Sequence, residues 1–323
     1  MKHRNCAGTT GTGLVFAIIA MLYALVGGGP LLASPEGSPW GEGYFPNTPL
    51  VTQDGETVHF YDDLIKNKVV AVNFIFTRCA DSCPAETAKL RQVQKLLGDR
   101  VGRDVFLYSI SIEPEHDTPA VLKQYAKKFE VEPGWTFLTG KPTDITLLRK
   151  KLGLLRDNDG VEIKGDHNTN LIVGNEATGQ WMKRSSFDNS KVLAGVIGSW
   201  LHNWKIPDKA QAGQKPNYDQ AVQIAQISHG EKLFRTRCVT CHSMGGGDGL
   251  GPDLLGTAEK RDRAWLTRWL MVPDQMLMEK DSLAMALYLK FKELPMPNLK
   301  LNEGDAAALI DYMQTQTNAV GKI

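Results

Sequence analysis

Cys238-Val239-Thr240-Cys241-His242 is the stretch of this 323-residue chain whose residue types and spacing dictate a chemistry most narrowly. Two thiols two residues apart, followed at once by a histidine, are what covalent haem attachment requires: the cysteines form thioethers to the vinyl groups and the imidazole reaches the iron. A disulfide or half of a zinc site would use the same thiols, but no second CxxC and no C-terminal histidine pair completes a tetrahedral set. A further thiol pair, Cys79 and Cys83, lies in Thr77-Arg78-Cys79-Ala80-Asp81-Ser82-Cys83-Pro84. Thiols four residues apart at the mouth of a turn entering a helix can face one point, and the positive end of the helix favours thiolates. Soft thiolates there select a soft ion, with Cu(I) the leading candidate outside the cytoplasm. A structural disulfide and a working thiol–disulfide pair are the alternatives, although a redox pair is usually spaced CxxC and the added residue changes the geometry of closure.

The elements that must position these groups are legible around them. The helical period from Ile224 to Arg237 places Phe234 one turn before Cys238; Gly251-Pro252-Asp253-Leu254 reads as a loop on the proximal side, and Leu294-Pro295-Met296-Pro297 precedes a helix over Glu303–Thr315. From His242 onwards, the order of attachment motif, Gly-Pro loop, Met-Pro loop and closing helix resembles the class I cytochromes c. That resemblance implies Met296 as the sixth ligand of a haem c, and its flanking prolines fix an extended backbone that can hold a thioether over the haem face. Met244, Met271, Met276, Met278 and Met285 are expected in the core or at the surface.

In the first half, the apolar run Val69–Phe76 predicts a strand entering the thiol loop, and Ala85–Gly98 predicts a helix with Leu90, Val93 and Leu97 on one face. A hairpin at Asp54-Gly55, a strand over Val105–Ile112, a helix from Pro119 capped by Thr118 or Asp117, and a strand over Trp135–Leu138 follow the same reading. A helix near Asp144–Leu152, the Leu171 strand, a turn at Thr178-Gly179, Trp181–Phe187 and a last helix over Lys191–Trp204 complete an α/β layer. Over residues 40–204 the chain resembles the Sco/SenC family of thioredoxin-like copper proteins. Cys79 and Cys83 correspond to that family's paired thiols, Ser109–Pro119 to its second strand and turn, and Asp166-His167-Asn168 to its distant histidine loop. The resemblance implies that Cys79, Cys83 and His167 bind copper. Glu113 stands where the family commonly has Asp and Asn168 where Ser is common, and neither exchange removes a ligand. His59, His116, His202 and His229 are expected to be satisfied surface or core residues.

The rest of the chain bounds these sites. At 42% hydrophobic and 23% charged, 323 residues suffice for two domains with cores of their own, and a net charge of +1 gives no reason to expect a nucleic-acid partner. Lys2, His3 and Arg4 precede an apolar run over Leu14–Val26, the form of an export signal; the uncharged stretch from Cys6 to Pro35 could span a bilayer, the short apolar run suits a cleavable signal, the basic residues before it favour an uncleaved anchor, and Cys6 is not placed for lipidation. The expected organisation is a signal or anchor over 1–33, an α/β thioredoxin-like domain over 40–204, a polar linker over 205–218 and an all-α cytochrome c domain over 219–323. Such a linker joins the domains without fixing their contact. The resemblances imply an exported protein on the extracytoplasmic or periplasmic side, tethered to the inner membrane, that acts as a copper metallochaperone in assembly of a respiratory cytochrome oxidase. Its expected partners are an oxidase subunit or other copper acceptor and a redox protein. A haem-linked thiol–disulfide oxidoreductase, or an electron carrier whose first domain only docks a partner, are the other functions this sequence allows.

Overall fold

The structure is a computed structural model that describes residues 40–79, 82–155, 169–202 and 227–320. The export segment, the linker over 205–218 and His167 lie outside the described residues.

The first half is built on a sheet whose strands are β1 (Pro49–Thr52), β2 (Thr57–His59), β3 (Val69–Ile75), β4 (Val105–Ser111), β5 (Trp135–Gly140), β6 (Asn170–Asn175) and β7 (Gln180–Ser185). Their order is β2-β1-β5-β4-β3-β6-β7, with β3, β4 and β5 parallel and the outer pairings antiparallel. The central strands are largely apolar because both of their faces are covered. Val69, Ala71 and Ile75 of β3 face one core, and Val70, Val72 and Phe74 face the other. The one polar residue of β3, Asn73, joins a buried chain through its Oδ1, in which Trp135 Nε1 donates to Ser109 Oγ (2.9 Å) and Ser109 Oγ donates to Asn73 Oδ1 (2.7 Å).

Helices α1 (Ser82–Leu97), α2 (Pro119–Lys128), α3 (Pro142–Lys151) and α4 (Ser190–Gly195) pack on this sheet. α1 begins three residues before the predicted Ala85 and so takes Cys83 into its first turn; it buries Leu90, Val93 and Leu97 in the same core as Cys79 and Cys83. Thr118 is the N-cap of α2, its hydroxyl accepting from Val121 N at 3.4 Å. The helix predicted over Lys191–Trp204 is α-helical only as far as Gly195 and continues as a π-helical turn over Val196–Trp200. A second such turn, Phe60–Ile65, was not expected from the sequence: it buries Phe60, Tyr61, Leu64 and Ile65 but lacks a clean helical period.

The second half contains no strand among its described residues. Helix α5 (His229–Leu233) runs through a π-helical turn, Phe234–Cys238, into the CxxCH motif. There follow α6 (Thr257–Lys260), α7 (Arg263–Met271), α8 (Pro273–Met278), α9 (Ser282–Lys290) and α10 (Glu303–Val320), the last extending past the predicted Thr315. α5 crosses α10 so closely that a Cβ on Gly230 would lie 2.0 Å from the Ala308 carbonyl oxygen. Ser228 caps α5, its Oγ accepting from Glu231 N at 3.1 Å.

Candidate functional site

Two sets of side chains that the sequence singled out are assembled by these elements. The first begins where β3 ends. Cys79 is 6% exposed and Cys83 is fully buried, and Cys83 N donates to Cys79 Sγ at 3.5 Å. Thr87 Oγ1 donates to the Cys83 carbonyl (2.8 Å) and lies 3.0 Å from the Tyr125 hydroxyl, fixing the first turn of α1 against α2.

The expectation that the helix N-terminus favours thiolates is overturned at Cys83. Burial pushes its thiol well up, and the neighbouring Cys79 and the buried Glu86 carboxylate push the same way. Taking a thiolate out of water outweighs the partial charge of the helix end. An entering metal ion must therefore displace a proton.

The loop bearing Cys79 is held from behind by Asp117, a residue the sequence offered only as a possible helix cap. Asp117 is fully buried and accepts from Thr77 N (3.1 Å), Thr77 Oγ1 (2.5 Å) and Ser111 Oγ (2.5 Å), while His116 Nδ1 lies 2.9 Å away. Glu113, one of the departures from the resembled family, holds Arg78 next to Cys79 through 3.1 and 2.9 Å contacts. Where His167 stands relative to the thiols is outside the described residues, and among those described no cluster of three metal-ligating side chains occurs.

The second set lines a cavity of about 340 Å³, walled by Cys238, Cys241, His242, Leu254, Trp265, Trp269, Leu270, Met296 and Met313 among others. His242 Nδ1 lies 2.8 Å from the Pro252 carbonyl, which can only accept, so Nδ1 carries the proton and Nε2 keeps its lone pair for a metal. Burial keeps this imidazole below its ordinary pKa, against the opposing pull of the Pro252 carbonyl, and so neutral. Gly251 makes the cradle: a Cβ there would lie 2.6 Å from His242 Cε1. Asp253 locks the same loop, its carboxylate accepting from Gly245 N (2.7 Å), Gly247 N (2.6 Å) and Leu255 N (2.9 Å).

Burial pushes the Cys238 and Cys241 thiols up to about 12, leaving both as S–H groups of the kind that add across a vinyl double bond. Met296 packs against the two small cores of this half, and Arg237 Nη1 ties the end of its loop to the CxxCH helix through the Leu299 carbonyl at 3.2 Å. A neutral imidazole with a free Nε2, two S–H groups, a thioether and an apolar cavity are a donor set that fits haem c.

The two halves touch. Cys241, Leu250 and Leu294 pack against the core that contains Cys79 and Cys83. Gln92 Nε2 donates to the Val239 carbonyl at 3.2 Å, and Lys292–Glu130 (2.7 Å) and Lys128–Glu293 (3.4 Å) pair across the seam. A cavity of about 520 Å³ is lined on one side by Ser82, Ala85 and Lys89 of α1 and on the other by Cys238, Cys241, His242 and Met296. An interface therefore exists where the sequence reading left the domains joined without a fixed contact.

Comparison with known proteins places both halves. The family model described as SCO1/SenC matches residues 46–198, and that described as Cytochrome c matches residues 227–317. A SCO2-like protein of Rickettsia felis is 32% identical over 148 residues, which span 44% of this chain and 68% of that protein. A protein of Stutzerimonas stutzeri named as a putative copper-binding protein is 30% identical over 109 residues, 34% of this chain and 52% of its own length. The solved cytochrome c domain of the pp3183 protein from Pseudomonas putida is 50% identical, covering 28% of this chain and 91% of that domain, with a TM-score of 0.27. On the two matched segments and the span of the Rickettsia relative, the chain belongs to the SCO1/SenC family, with a thioredoxin-like fold in its first half and a cytochrome c domain in its second.

Proposed function

We propose that this protein is an exported copper-binding redox protein that delivers copper during assembly of a respiratory cytochrome c oxidase and carries a haem c for electron transfer. The observation that carries the reading is the pair of buried thiols at the β3–α1 junction, with Cys83 N–H on Cys79 Sγ. Two sulfurs converging at an apolar, rigidly backed loop form a soft site for Cu(I). His167 is the third ligand in this reading, by resemblance to the family. Burial of the thiols argues against rapid thiol–disulfide exchange, because a protonated, inaccessible sulfur is a poor nucleophile. In the second half, Cys238 and Cys241 hold the haem, His242 and Met296 are its axial ligands, and bound haem supplies a one-electron couple. Copper passing between its two common states also moves one electron, whereas a dithiol closing to a disulfide moves two. The matching partner for the haem is therefore copper. The N-terminal segment provides the tether on the extracytoplasmic side; among the described residues no helix is long and apolar enough to cross a membrane.

Metal analysis of the purified exported part tests the reading. One copper per chain is expected, nearly abolished in Cys79→Ser and in Cys83→Ser and reduced less in His167→Ala. Full copper retention by Cys79→Ser would overturn it, and a copper-free protein whose activity is lost in Cys83→Ser would support the oxidoreductase instead.

A further inference from the structure

Lys89 is an unusual residue for its place. It lies in the middle of α1, is 6% exposed, and points a cation into the seam between the halves, where it lines the cavity shared with Cys238, Cys241 and Met296. Among the described residues no carboxylate and no hydrogen-bond acceptor pairs with its ammonium group; the one ionisable neighbour it feels is the Cys241 thiol. A buried lysine without a partner is disfavoured unless something else supplies negative charge. Cys241 cannot do so in the mature protein, because addition of its S–H across a vinyl group leaves a neutral thioether. The charge of Lys89 is then directed at the group to which that sulfur is bonded.

We propose that Lys89, carried by the thiol-bearing half, raises the reduction potential of the haem held by the other half, so that docking of the two halves sets that potential. The inference rests on haem attachment at Cys238 and Cys241. Ferrous haem carries one more negative charge than ferric haem, so a nearby cation stabilises the reduced form. In a buried seam the attraction is only weakly attenuated by salt. Lys89 lies six residues after Cys83 on the same helix, so one element carries both a proposed copper ligand and the charge that biases the haem. It is a positioning residue in the electrostatic sense.

Potentiometric titration of the full-length holoprotein, followed by the haem absorption bands, tests this. Lys89→Met should favour the oxidised haem about tenfold relative to the unsubstituted protein, a fall of about 59 mV for one electron. Lys89→Arg should retain the original potential. A Lys89→Met protein with intact covalent haem and an unchanged potential would overturn the proposal, as would an equal fall in Lys89→Arg. Should Lys89→Met not fold, Lys89→Gln, which also removes the charge, gives the same readout. Absence of covalent haem from the unsubstituted protein would instead overturn the haem reading on which the proposal stands.

Discussion

Two residues decide most about their surroundings, and each supports a definite expectation. Met296 lies in a proline-flanked loop, packs against the cores of this half, and lines the same cavity as the CxxCH turn. Replacing it with Ala removes the thioether that favours ferrous iron, so the reduction potential should fall and the sixth position should open to added ligands such as imidazole; unchanged spectrum and potential would assign the position to another residue. Asp117 bears on the thiol site through Thr77 and Ser111. In Asp117→Asn the amide group must face at least one of the donors that now point at a carboxylate, and hydrogen bonds to a charged group are lost. The unfolding free energy should drop by about 2 kcal/mol, read as a lower denaturation midpoint with an unchanged slope. A midpoint equal to that of the unsubstituted protein would mean the network does not anchor the loop.

At the scale of elements, the close approach of α5 to α10 is the feature most sensitive to one added atom. Gly230 has Ala308 O, Ala308 C and Tyr312 Cβ within 2.9 Å of where its Cβ would stand. Backbone cannot yield as a flexible side-chain tip can, so Gly230→Ala should separate the helices and destabilise the second half by about 1–3 kcal/mol. Loss of haem-band intensity at a lower temperature, with the first half unfolding as before, is the expected result. The CxxCH turn follows α5 directly, so a displaced α5 should also reduce the haem-to-protein ratio. Full stability and full loading in this variant would show that the helices separate without consequence.

For the whole molecule, the question is what holds the halves together. The ion pairs at the seam, Lys292–Glu130 and Lys128–Glu293, are substantially exposed, and such pairs contribute about 0–1 kcal/mol each. The apolar contacts of Cys241, Leu250 and Leu294 are insensitive to screening. Small-angle scattering of the holoprotein should therefore give the same radius of gyration at low salt and at about 0.5 M salt, where exposed pairs are screened. Expansion with salt would assign the association to charge.

The sequence by itself determined the local chemistry: CxxCH, the Met-Pro loop, the CxxxC at a strand-to-helix junction and the order of strands and helices are set by spacing and periodicity along the chain. Spacing could not place Asp117 behind Thr77, because that contact joins two strand ends 40 residues apart. Nor could it tell that burial would override the helix end at Cys83, since desolvation depends on what the rest of the chain packs over the sulfur. The interface lay beyond it for the same reason. Lys89 and Cys241 are 152 positions apart, and a lysine on a helix reads as solvated until tertiary packing buries it in a seam with no counter-charge among the described residues. Contacts within a turn are fixed by the backbone's few allowed shapes, whereas contacts between elements are chosen by the burial of whole surfaces, which only the folded molecule brings together.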